Sequence, residues 1–286
     1  MKIRLPKLQW VPSASASGAR ALLVSACDPE HRDRQDGTRG SILRDLDEAL
    51  AKRSLDAVRF WTTWFDRVLG GTDPRDAAGL VTGEKSDRIT VLIAEWWSEW
   101  EAAADVLNQQ LALRAGPIKT QWDTYGAGIF RHVEKAVWAG SPPDDWWPER
   151  IQIVLVHPQR GGGGDVTPRG DSIWFEAMLT DSDPRIPEVL RLAWLTLRVS
   201  IRLHLSGRSD ALTLHRGWDL ASVSLIRRAA LDIGLLQEVT AGQLMNFWEF
   251  GDAKQAIALE TWDGREDDGR PMPIQIARLT KEISSP

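Results

Sequence analysis

Val154 to Asp183, VLVHPQRGGGGDVTPRGDSIWFEAMLTDSD, holds most of the side chains with which this chain could do chemistry. His157 closes an apolar run, four glycines follow, and Asp165, Asp171, Glu176, Asp181 and Asp183 surround a second apolar run. A histidine and two or more carboxylates converging on one cleft would suffice for acid–base or hydrolytic chemistry. His157, Glu176 and Asp165 are therefore the catalytic candidates. The competing expectation is plainer: His157 is a polar strand-end residue, and the carboxylates are solvated loop charges. Their spacing does not match a calcium loop.

The glycines invite a phosphate-loop reading, which the neighbouring residues oppose. A Walker loop needs a Gly-Lys-Ser/Thr ending and a helix N-terminus to meet the phosphates. Neither follows Gly161–Gly164, because DSIWFEAMLT reads as a second strand. A Rossmann loop fails likewise, with Thr167 where its last glycine would stand. The segment is expected to be a flexible crossing between neighbouring strands, with glycine chosen for backbone freedom. Arg169-Gly170-Asp171 in the same loop is given no role.

Other constellations are sparse. The five histidines contain no H-E-x-x-H, and no two are spaced three or four apart. Cys27 and His31 are four apart, but the segment between them reads as a loop. No metal site and no cofactor is expected. For binding, the candidates are Trp146 and Trp147 in a Pro/Asp-rich stretch, and Arg191, Arg198 and Arg202 on one side of a helix. Glu188 lies one turn before Arg191 and can pair with it. These arginines read as a solvated or ion-paired helix edge, or else as a site for an anion or acidic partner. Trp61 with Trp64, and Trp96, Trp97 with Trp100, fall at core spacing.

These residues must be positioned by an α+β fold: a mainly helical N-terminal half, and a small sheet covered by helices in the C-terminal half. Apolar spacings of three and four run from Ile42 to Leu69, with Ser54 as a cap and Gly70-Gly71 as a stop. A second helix is expected to stop at Gly116-Pro117, and a third at Gly140. RIQIVLVHP and DSIWFEAMLT read as strands, PEVLRLAWLTLRVSIRLHL as a buried helix, and MPIQIARL as an added edge strand. The expected organisation is a helical region over 1–140, a hinge at 141–150, an α+β region over 151–262 and a loose polar tail over 263–286.

Composition bounds the partners. A net charge of -5 gives no global attraction to nucleic acid. No apolar run is long enough to span a membrane. One cysteine excludes an intramolecular disulfide, so a cytoplasmic location is expected. VSAC, Val24 to Cys27, follows a stretch containing Pro12 and Arg20, unlike a lipoprotein signal.

The element order from Ile151 to Leu205 resembles the central layout of zincin metallopeptidases: strand, glycine-rich crossing, edge-like strand, long buried helix. In zincins the edge strand aligns substrate and the helix carries H-E-x-x-H. Here the helix reads PEVLRLAWLTLRV, with no histidine before its C-terminal end. The resemblance therefore implies a degenerate zincin-like core without a metal site or peptidase activity. EVLRLAWL is also similar to a segment of a bacterial family with no assigned activity. No functional residue is carried over from either likeness.

The function expected is non-enzymatic, acting through contacts with a protein partner or a second copy of the chain. A hydrolase using the residues around the glycine loop is the first alternative. A sugar- or ligand-binding module using Trp146, Trp147 or Trp174 is the second.

Overall fold

A computed structural model describes residues 5–28, 37–83, 88–206, 211–264 and 270–284. In chain order its elements are β1 (Lys7–Pro12), α1 (Ala14–Cys27), α2 (Gly37–Lys52), α3 (Ala57–Leu69), α4 (Pro74–Thr82), α5 (Arg88–Trp138) and β2 (Arg150–Val156). They continue with β3 (Gly164–Val166), β4 (Ser172–Glu176), α6 (Glu188–Leu205), α7 (Ala211–Asp232), α8 (Ala241–Phe247), α9 (Ala253–Asp263) and α10 (Met272–Ser284). This is the expected α+β class: helices dominate, and the strands form one sheet in the order β1-β2-β4-β3. Among the described residues no helix is long and apolar enough to cross a membrane.

Contacts divide the chain into two units. One comprises Met1–Gln9, Arg114–Ile153 and Gly161–Pro286; the other comprises Trp10–Leu113 and Val154–Arg160. Residues 141–150, read from the sequence as a hinge, lie inside the first unit. The division crosses the middle of α5 instead.

In the second unit, α1 is an element the sequence reading did not identify. The Ser13 side chain caps it by accepting from the Ala16 amide at 3.0 Å. Its small residues pack closely: a Cβ on Gly18 would lie 2.8 Å from the Trp97 ring. Ala16, Ala19 and Leu22 are fully or almost fully buried. The expected cap at Ser54 is corrected to Asp56, whose carboxylate accepts from the Arg59 amide at 2.7 Å. Ser54 instead takes a positive φ of 53° in the turn before it. Trp61, Trp64, Trp96 and Trp97 are core, as their spacing indicates.

The expected stop at Gly116-Pro117 does not occur, and α5 runs through it. Proline removes the amide that would bond the Leu113 carbonyl. Leu113 and Pro117 are both exposed, so water can solvate that carbonyl. The buried row Leu107, Leu111, Ala115, Ile118 and Trp122 continues on the opposite side and keeps the segment helical.

In the first unit, three further expectations are corrected. MPIQIARL is helix α10, not an edge strand, and of the expected loose tail the stretch Met272–Ser284 is packed helix. Ile276 and Leu279 are fully buried, and Thr280 packs against Gly217 of α7. The glycine segment is likewise packed rather than slack. Gly164 begins β3, which pairs antiparallel with β4 in the register Gly164–Phe175, Asp165–Trp174 and Val166–Ile173. Because β4 stands between β2 and β3, the glycines carry the chain past one strand position. A Cβ on Gly162 would lie 2.5 Å from the Phe247 carbonyl oxygen, and one on Gly164 would lie 2.9 Å from Leu195. These glycines serve close approach of backbone to backbone and to helix.

Two glycines should respond in opposite directions. Gly162→Ala is expected to lower unfolding stability by about 2 kcal/mol, since the obstructing atom is backbone. Gly128→Ala, at a helical position where an added Cβ would meet only Ile233 at an ordinary 3.8 Å, is expected to raise it by about 0.5–1 kcal/mol. Urea denaturation of both variants checks this; a neutral Gly162→Ala would show that the loop yields freely.

Candidate functional site

Helix α6 positions the densest group of buried charge in the first unit. Pro187 precedes it with a fixed φ of -58°. Its first amides are met by side chains: Glu188 N–H donates to Asp181 at 2.8 Å, and Val189 N–H to Gln121 Oε1 at 3.2 Å. Nearly every residue from Glu188 to Ile201 is buried, as the all-round apolar sequence requires. Arg191, Arg198 and Arg202 are seven and four residues apart and therefore share one face.

That face meets the β3–β4 hairpin in three successive layers. In the first, Arg191 is completely buried. Its Nη1 donates to the Gly163 carbonyl at 2.6 Å, its Nη2 to the Glu176 carbonyl at 2.9 Å, and its Nε to Glu188 at 3.0 Å. The guanidinium also lies 4.0 Å from the centre of the Phe175 ring. In the second layer Arg198, 3% exposed, donates to Asp165 at 2.6 Å and to Asp219 of α7 at 3.0 Å. Trp194 and Phe250 enclose it, with ring centres 4.8 and 5.0 Å from the guanidinium. Burial would lower its pKa, but Asp219 and Asp165 outweigh burial and raise it. In the third layer Arg202 is half-buried, and its Nη1 reaches the Val166 and Thr167 carbonyls only at 3.4 Å each.

Of the expected solvated or ion-paired helix edge, the ion pairing is present at Arg191 and Arg198, but both are enclosed rather than at an edge. The pairing of Arg191 with Glu188 follows the sequence reading. Asp219 was not identified, because its role depends on how α7 lies against α6 and has no local signature. Asp181 was read as a loop charge; its carboxylate in fact caps α6 and also contacts Gln121. Asp183 pairs with Arg185, and Asp171 accepts from the Ser172 hydroxyl at 3.1 Å.

The catalytic candidates fall in different places. Glu176 is completely buried at the end of β4, where its Oε2 accepts from the Gly161 amide at 2.9 Å. Asp165 is half-exposed and bonded to Arg198. His157 belongs to the second unit, where its amide donates to Ser17 Oγ at 2.9 Å and its Nδ1 lies 3.0 Å from the Pro158 carbonyl oxygen. Of the Cys27–His31 pair, Cys27 is exposed and His31 lies outside the described residues. Among the described residues no group of three or more histidine, cysteine or carboxylate side chains is arranged to hold a metal.

The proposed tryptophan platform is largely enclosed. Trp146 is 1% exposed and Trp174 9%. Trp146 stands edge-on to Trp138, Trp147 and His204 at ring-centre distances of 5.3, 5.7 and 5.4 Å. Trp147 is half-buried, with its indole N–H donated to Glu134 at 2.5 Å. The prolines and aspartates around this pair leave its exposure open in the sequence. Those residues carry the polar exterior of a turn whose indoles point inward.

No family model, no curated protein and no solved structure matches the chain.

The arrangement fixes the hairpin and glycine segment to α6 through buried charge. Replacing Arg191 with Met should cost about 3–5 kcal/mol, because Glu188 and two carbonyls lose their partner in a dry interior. Guanidinium chloride unfolding measures this; a loss below about 1 kcal/mol would sink the clasp role.

Glu188 adds a pH dependence. Burial raises its pKa above the ordinary 4.5, against the opposing pull of Arg191. A raised carboxyl pKa means that the folded state holds the proton more tightly than the unfolded state. Its contribution is therefore fully present below 4.5 and is lost as pH rises through the raised value. Glu188→Gln should flatten that part of the stability profile. Identical pH slopes for Glu188→Gln and the parent chain would contradict the assignment.

Proposed function

We propose that this protein acts through contacts with another protein or a second copy of itself rather than through catalysis. The observation that carries the reading is the exposed side of α5. Val106 is 59% exposed and Leu113 74% exposed, and seven residues separate them, so they share a helix face. Ala102 and Ala103 are exposed one turn earlier. A helix whose opposite row is already buried in the core gains nothing within its own unit from exposing Val106 and Leu113, which flank Gln109 and Gln110. An amphipathic helix or groove could cover such a row. The internal use of Glu176, Glu188, Arg191 and Arg198 supports the same reading, since groups enclosed and bonded within the fold are not offered to a substrate.

The test is affinity capture of the tagged full chain from its native cells, alongside sedimentation of the purified protein. The double variant Val106→Glu/Leu113→Glu, which leaves the buried row untouched, should lose a captured partner or fall from oligomer to monomer with an unchanged unfolding midpoint. A monomer that captures nothing above background overturns the reading, as does a partner held equally by the double variant.

A further inference from the structure

The three arginines of α6 receive unequal counter-charge, and the inequality points to a ligand. Arg191 meets Glu188, and Arg198 meets Asp165 and Asp219. Among the described residues Arg202 has backbone carbonyls alone, both at 3.4 Å, near the outer limit of a hydrogen bond. Among the described residues its buried Nε has no partner. Burial and the neighbouring Arg198 lower its pKa, against the pull of Asp219 and Asp165. Those two carboxylates are already engaged by Arg198.

A second orphan stands opposite. Helices α6 and α7 are consecutive and joined by a short connection, which makes them antiparallel neighbours. Arg198 of α6 pairs with Asp219 of α7. One turn onward along α6 is Arg202, and one turn back along α7 is His215. Arg202 and His215 therefore face each other in the layer next to Arg198 and Asp219. Among the described residues the buried His215 Nε2 has no partner. Arg202 also acts on the ring: burial chiefly lowers the His215 pKa, and Arg202 lowers it further against Asp219.

The turn of the β3–β4 hairpin lies over this layer. Gly170, at φ +78°, comes so close that a Cβ there would sit 3.7 Å from Arg202 Cβ. Arg169 beside it is exposed and makes no ion pair among the described residues. The third layer thus presents a guanidinium with donors unspent, an imidazole nitrogen unspent, and a further cation at its rim. Leaving a half-buried cation without an anion is costly, and an oxyanion supplies the missing partner.

We propose that Arg202 and His215, beneath the hairpin turn at Thr167–Asp171, form a binding site for a small oxyanion, a phosphoryl or carboxylate group. Phosphate has more acceptor oxygens and greater charge than a carboxylate, so it should bind more tightly. The site does not depend on the protein-contact reading, because it can be tested on the purified chain with the anion alone.

Isothermal titration of the full chain with inorganic phosphate, and separately with acetate, at constant ionic strength tests this. Saturable one-to-one binding is expected, weakened at least about tenfold by Arg202→Gln, the size of one lost charge-assisted hydrogen bond. His215→Gln should weaken it less, and Arg216→Gln, on the adjacent face of α7, should leave it unchanged. Tighter acetate than phosphate binding would assign the site to a carboxylate-bearing ligand. If Arg202→Gln does not fold, His215→Gln and Arg202→Lys carry the test, since lysine keeps the charge but loses the planar fork. No saturable binding of either anion overturns the proposal. So does equal binding by parent, Arg202→Gln and His215→Gln, which would mark a general salt effect.

Discussion

Burial of arginine on α6 is the constraint around which the first unit is arranged. A guanidinium carried out of water must have its charge and its donors met nearby, or the folded state loses several kcal/mol. Arg191 is the extreme case, with no exposed surface and acceptors drawn from three places: Glu188 on its own helix, the Gly163 carbonyl and the Glu176 carbonyl. Each acceptor fixes a piece of chain. The glycine segment cannot lift from α6 without stranding the cation, and the end of β4 is held by the same group.

Close packing lets this electrostatic clasp work. Carbonyl oxygens reach Arg191 only because Gly162 and Gly164 allow the backbone to lie against Phe247 and Leu195 without a Cβ between. Aromatic rings supply the remaining walls: Phe175 over Arg191, and Trp194 with Phe250 over Arg198. Trp194 stacks in turn on Trp248 at 5.0 Å, which ties the segment after α8 to the same helix. Charge, ring and glycine are thus parts of one arrangement, and a change in any of them would be felt by the others.

This arrangement also explains why acidic residues near a glycine loop need not mean catalysis. Glu176 faces inward and bonds to the Gly161 amide, so it closes the loop onto the strand. Asp181 caps a helix, and Asp165 neutralises Arg198. Where such a network is complete it rigidifies the fold. At its third layer the acceptors run short, and that shortage sets Arg202 apart from the other two arginines.

Much of the fold was legible from local pattern. The α6 sequence is apolar on all sides, which could only mean burial, and the i, i+3 pair Glu188–Arg191 followed from helix geometry alone. The strands β2 and β4 and the core tryptophans at helical spacing were likewise fixed by period and composition. Other features depended on what lay across the interface. Pro117 was compatible with helix because it and Leu113 lie on the exposed side of α5, and MPIQIARL became helical because Ile276 and Leu279 are buried where α10 packs on α7 and α9. The rigidity of the glycines, the inward turn of Trp146, and the partnership of Arg198 with Asp219 were equally invisible. Each depends on atoms distant in sequence, and a one-dimensional pattern records which residues want burial or a counter-charge, not which neighbour supplies it.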